Sequence, residues 1–161
     1  MNEQPQTEAQ EESFVDFGQK ELSRRTKKFL QQREPVLKNE ESEDVHDMRV
    51  ASRRLRATLD AYQPIAKRKA FQQAYQQVGK ATDLLGAVRD ADVMKQCAEE
   101  LLSQASIDEH AGGQWLMNRL STYREQRQQE LEAFFQDFDD EALKSAITAC
   151  LPKGGSSHGK S

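Results

Sequence analysis

The chain has 161 residues, enough for one domain, with 36% hydrophobic and 31% charged residues and a formal net charge of -4. No apolar run approaches membrane-spanning length, which excludes a transmembrane helix. The acidic balance argues against a generic nucleic-acid binder, which needs a strongly basic domain, and Leu, Ile, Val and Phe together are only about one residue in five, a thin supply for a small core.

Residues 1–12 are Gln- and Glu-rich, contain Pro5 and show no periodicity, so they are expected to form a disordered acidic segment. They also lack the basic-then-apolar pattern of a signal peptide, which places the protein in the cytoplasm. A helical bundle is predicted over residues 13–151. Its first helix runs from Phe14 to Gln32, with Phe14, Phe17, Leu22, Phe29 and Leu30 as apolar positions and Lys20, Arg24, Arg25, Lys27 and Lys28 as charged ones. Pro35 and the polar run Lys38 to Ser42 read as a loop, with Ser42 a candidate cap and Glu43 and Asp44 suited to the positive end of a second helix. That helix runs to about Gln63, where Pro64 stops it. A third helix carries Phe71, Ala74, Tyr75, Val78, Thr82 and Leu85 and is interrupted or ended by Gly86.

A fourth helix begins near Asp90 and carries Val93, Met94, Cys97 and Leu101, and Gly112-Gly113 marks the next break. A long fifth helix has Leu116, Leu120, Tyr123, Leu131, Phe134 and Phe138 on one side. A short sixth covers Glu141 to Cys150 before Pro152, and residues 152–161 form a flexible Gly/Ser tail. No run alternates like a strand. The sum is an all-α fold, an antiparallel bundle of about five to six helices.

The charge is unevenly spread. Residues 45–70 carry 7 Lys and Arg against 2 Asp and Glu, whereas residues 1–44 carry 7 against 11 and residues 71–161 carry 9 against 14. One local anion site in an acidic protein is the implied arrangement. On an ideal helix Met48, Ala51, Leu55, Leu59 and Tyr62 collect on one side, and His46, Arg49 and Arg53 nearly opposite, with Arg56 beside Arg49 and Arg54 on the flank. Guanidinium groups are permanently charged, planar forks that match phosphate oxygens. At spacings of three and four residues they form a ladder suited to a repeating, phosphate-rich polyanion. A solvated basic face, or arginines paired with acids of neighbouring helices, fits the same pattern.

Other signals are weaker. Gly154 to Ser161 spells a phosphate-loop pattern, but a true phosphate loop sits between a strand and a helix, and no helix follows in this sequence. Cys97 and Cys150 are far apart and read as reduced thiols. His46, His110 and His158 show no metal-ligand spacing with Cys or acids, and no carboxylate cluster suits Mg²⁺, so no metal, cofactor or enzymatic activity is expected.

The stretch His46 to Leu59, H-D-M-R-V-A-S-R-R-L-R-A-T-L, closely resembles a signature of the CHAD family, the conserved-histidine α-helical domain. Leu84 to Val93, L-L-G-A-V-R-D-A-D-V, resembles the second signature, in the right order and at a helix-sized distance. The resemblance covers roughly residues 14 to 150. It implies two helical bundles around a basic central pore and binding of inorganic polyphosphate through His46, Arg49, Arg53, Arg54, Arg56 and Arg89, with Asp90 capping the fourth helix or orienting an arginine. Lys20, Arg24, Lys27 and Lys28 extend the surface without a motif to fix them. The family's domain is about twice this long, and its second Arg/Lys-rich helix has no counterpart here; Arg119, Arg124 and Arg127 do not reproduce the pattern. Either this is a single-bundle version, or two copies form a homodimer that rebuilds the pore, touching through apolar surface around Tyr123 and Phe134.

The expected function is therefore non-enzymatic polyphosphate binding, as an adaptor to polyphosphate stores. The alternative is a helical scaffold whose arginine face docks an acidic protein. A nucleic-acid partner is disfavoured because stacking aromatics are not interleaved with the basic residues.

Overall fold

Ser13 opens the first helix by accepting the Asp16 amide on its hydroxyl at 3.2 Å, which satisfies one of the otherwise unpaired N–H groups of the first turn. The computed structural model describes residues 13–104, 106 and 110–153. The acidic segment 1–12 and the tail residues 154–161, including the phosphate-loop-like pattern, lie outside the described residues. The described residues form six α-helices: α1 Phe14–Gln31, α2 Arg33–Lys38, α3 Ser42–Tyr62, α4 Arg68–Leu102, α5 His110–Gln136 and α6 Asp140–Cys150, with a short 3-10 turn at Gln63–Ile65. Among the described residues there is no strand.

Cross-links fix the directions. Tyr62 donates its hydroxyl to the Phe14 carbonyl, so α1 and α3 run antiparallel. Arg56 meets Tyr75 and Arg49 lies beside Gly86, which orders α3 against α4. Gln19 donates to the Pro152 carbonyl and Arg33 pairs with Asp140, setting α6 antiparallel to α1, while the Lys67 amide donates to the Cys150 carbonyl at 2.7 Å. Thus α1, α3, α4 and α6 close a ring around Leu22, Phe29, Leu55, Leu59, Val78, Leu85 and Leu143. α5 packs along α4, and its C-terminal half adds Leu131 and Phe135 to the same core.

Four expectations are corrected. Residues 33–38 are helical rather than loop: Pro35 lies in the first turn of α2, where a missing N–H has no intrahelical partner to lose, and Asn39 at φ 54° ends the helix in the left-handed region. Ser42 is the first residue of α3, not its cap; Glu41 holds that position and makes no side-chain capping bond. Gly86 does not interrupt a helix. Residues 68–102 form one helix of 35 residues, so Asp90 lies mid-helix and caps nothing. A single interior glycine costs about 1 kcal/mol against alanine, less than the packing of flanking Leu85 and Val88, both fully buried, returns. Gly112 and Gly113 lie within the first turn of α5, where Gly113 presses against Leu102 of α4 so closely that a Cβ would clash.

The apolar stripe of α5 is covered only in its C-terminal half. Leu131 is buried and Phe134 packs against the core, whereas Leu116 and Tyr123 are exposed; Phe138, expected on this helix, lies just beyond its end and packs against the core from the turn before α6. The cause is length. With Arg49 opposite Gly86, the first residue of α3 lies about level with residue 93 of α4, so the rest of α4 and the facing part of α5 outrun the bundle as a two-helix arm.

Candidate functional site

α3 buries Val45, Met48, Ala51, Leu55, Leu59 and Tyr62, the face its periodicity assigns to the core. The opposite arc remains open because α1 flanks α3 on one side and α4 on the other. The helix spacing therefore does not deliver one ladder in one groove. It delivers two shoulders, each turned into a separate cleft.

The α1–α3 cleft, about 510 Å³, is lined by Arg24, Arg25, Lys28 and Gln32 from α1 and by His46, Asp47, Val50, Ala51 and Arg54 from α3. Glu21, a turn away on α1, accepts two bonds from Arg24 and one from Arg25, all 2.9 Å. The Arg24 guanidinium, helped by Arg25 and opposed by partial burial, holds the Glu21 carboxyl below the usual carboxylate range. Arg54 stands exposed on the crest, with Arg53 exposed beside it.

The α3–α4 cleft, about 750 Å³, holds Arg49, Arg53 and Arg56 from α3 but also Asp60, and α4 contributes Asp83 and Asp90. Its three arginines are matched by three carboxylates. Arg56 is also tied down: Nη2 donates to the Tyr75 hydroxyl at 3.1 Å and the guanidinium lies 4.9 Å from the Tyr75 ring centroid. The Tyr75 bond raises the Arg56 pKa against the pull of burial, with smaller help from Asp83 and Asp60. Met94 and Tyr123 close the far end of this cleft.

The predicted residues thus divide. His46 and Arg54 join Arg24 and Lys28; Arg49, Arg53 and Arg56 lie together on the other shoulder. Arg89 is half-buried on α4 and is not among the residues lining either cleft. Lys20 is exposed on α1, and Lys27 faces α6 in a groove with Asp140 and Lys144. Sequence reasoning passed over Arg25 and Gln32 as site residues. The signal was Arg24-Arg25 followed by Lys28, basic residues at i, i+1 and i+4 on one helix.

The expectation that His46 has no metal-ligand spacing with acids is corrected. Ligand atoms of Glu43, His46 and Asp47 all lie within 4.8 Å of one another, an arrangement from which a cation could take one nitrogen and two oxygens. Glu43 lies three residues before His46 and four before Asp47, so one helix face brings all three together, although Glu43 reads in the sequence only as an acid of the helix's first turn.

The family model described as CHAD domain matches residues 20–161, a span that contains both signature-like segments and both clefts. Neither a curated protein nor a solved structure gives a match.

Proposed function

We propose that this chain, which belongs to the CHAD domain family, binds inorganic polyphosphate on the open arc of α3 and does not turn it over. The α1–α3 cleft carries this reading: Arg24, Arg25, Lys28 and Arg54 bring four permanent positive charges there, against Asp47 in the lining and Glu21, which pairs with Arg24 and Arg25. Guanidinium forks grip phosphate oxygens in pairs, and Lys28 adds a point charge. The exposed Arg53 and Arg54 on the crest let a flexible chain cross from this cleft toward the α3–α4 side, where Asp60, Asp83 and Asp90 weaken the attraction.

Binding needs only the cationic face. Thr82 and Tyr123 supply the hydroxyls among the residues lining the two clefts, and Thr82 already donates to the Val78 carbonyl. In this reading the protein is a cytoplasmic adaptor that brings partners to polyphosphate stores, and a second copy supplies a second arginine ladder. The test is competition at fixed salt, with labelled polyphosphate displaced by unlabelled polyphosphate, RNA or an acidic polypeptide at equal charge concentration. Polyphosphate is expected to compete best. Stronger displacement by the acidic polypeptide would overturn the reading in favour of a protein-docking scaffold.

A further inference from the structure

The arm formed by the ends of α4 and α5 has an apolar face that no other helix among the described residues covers. Met94 and Tyr123 both line the far end of the α3–α4 cleft. One heptad outward along α4 from Met94 is Leu101, 73% exposed; one heptad outward along α5 from Tyr123 is Leu116, 41% exposed. α4 and α5 are antiparallel, as the Asp92–Arg124 pair and the Gly113–Leu102 contact require, so both heptads run away from the bundle. Residues seven apart return to the same helix face. The four side chains therefore make one strip that starts at the arginine cleft and ends near the tip of the arm.

Charge flanks this strip unequally. α4 carries the exposed acids Asp90, Glu99 and Glu100 with Lys95 half-buried among them, and α5 carries Arg119 and Arg127, which stack on Trp115 and Tyr123, Arg127 also pairing with Glu130 at 2.9 Å. One edge is net acidic and the other net basic, which is the condition for self-complementarity under a two-fold axis.

We propose that the α4–α5 arm is the contact between two copies of this chain, with α4 of each lying against α5 of the other. A two-fold axis along the arm produces this pairing. It sets Met94 opposite Tyr123 and Leu101 opposite Leu116 of the second copy, and brings Asp90 to the second copy's Arg127. The four helices form a small bundle. Because the strip begins at the cleft, the same axis turns the two α3–α4 clefts toward each other, so each copy supplies one wall of a shared channel. The carboxylates Asp60, Asp83 and Asp90 offset the repulsion between the opposed arginines. The aromatic surface expected from sequence is corrected in one respect: Tyr123 belongs to the contact, but Phe134 packs against the core.

The face measures roughly 20 Å by 20 Å from helix dimensions, below the ~800 Å² per partner of a stable complex. The dimer is accordingly a reversible one. Polyphosphate spanning both clefts tightens it by linkage.

This deepens the second-copy element of the proposed function but rests on it only for the use of the shared channel. Its test contains no polyphosphate. Sedimentation velocity of the full chain from about 1 to 200 µM is expected to show a reversible monomer–dimer equilibrium. Leu101→Glu and Leu116→Arg, both at exposed positions, should each raise the dissociation constant roughly tenfold or more without changing the helical circular dichroism. The double variant should regain the dimer, because residue 101 then meets residue 116 of the second copy with opposite charge. A wild-type monomer throughout the range, or single variants that still associate, overturns the interface. A double variant that stays monomeric overturns the pairing of α4 with α5. These outcomes are read without polyphosphate, so they judge the contact alone and leave the α1–α3 assignment to the salt dependence of the Arg54 variant.

Discussion

Replacing Arg54 by Ala separates the two clefts. Arg54 is exposed on the crest of α3 and its side chain makes no hydrogen bond or ion pair among the described interactions, so its loss should leave stability unchanged within about 0.5 kcal/mol. Its effect on binding follows from counterion release. With single-stranded nucleic acid as the guide, each neutralised phosphate contributes about 0.7 to the slope of log affinity against log salt. Four permanent cations in the α1–α3 cleft, Arg24, Arg25, Lys28 and Arg54, give a slope near -2.8, or roughly a 50-fold loss of affinity between about 50 and 200 mM salt. Without Arg54 the slope becomes about -2.1 and the loss roughly 20-fold.

Arg56→Ala is the matched control. It removes the bond to Tyr75 and the ring contact, costing about 1 kcal/mol of stability, yet should barely alter the slope because Arg56 is already engaged and faces Asp60 and Asp83. Fluorescence anisotropy with labelled polyphosphate across a salt series gives both slopes. If Arg56→Ala flattens the line and Arg54→Ala does not, the ligand sits in the α3–α4 cleft and the assignment made here would be refuted.

Glu21 competes with phosphate for Arg24 and Arg25. Glu21→Gln should therefore tighten polyphosphate binding by up to about fivefold, the scale of exposed ion pairs. Since Arg24 holds the Glu21 carboxyl below the usual carboxylate range, wild-type binding gains this increment only when the pH falls through that lowered value, and the variant should not. Gly79→Ala should raise stability by about 1 kcal/mol in chemical denaturation, because the position is helical and nothing lies within 4 Å of the new methyl. Gly18→Ala should instead lower it by about 1–3 kcal/mol, because the Tyr62 ring occupies the space. Burial pushes the Cys150 thiol up, whereas Cys97 is exposed, so a thiol reagent should titrate one cysteine in the native protein and two after denaturation.

The periodicity of α3 was fully legible, since Met48, Leu55 and Leu59 at core spacing specify both the helix and its buried face. The grouping of its arginines was not. Position around one helix gives the order of side chains along an arc, but the neighbours decide where the arc divides; here α1 and α4 send Arg54 one way and Arg56 the other. Gly86 misled for a related reason. Its local preference is real but small, and tertiary burial on both sides outweighs it. Pro35 misled because its effect depends on whether it stands in the first turn or the interior, and the start of α2 carries no capping side chain to mark it.

The continuity of α4 through Gly79 and Gly86 has a mechanical consequence. One unbroken rod spans the bundle and the arm, and from Gly86, level with Arg49, to Leu102 near the tip it reaches about 24 Å. A tilt of about 5° at the bundle end sweeps the tip by roughly 2 Å over that length. The spacing of the cleft walls and the angle of the arm are then a single coordinate. Whatever seats an anion beside Arg49 also aims Leu101, with no hinge between them to absorb the movement.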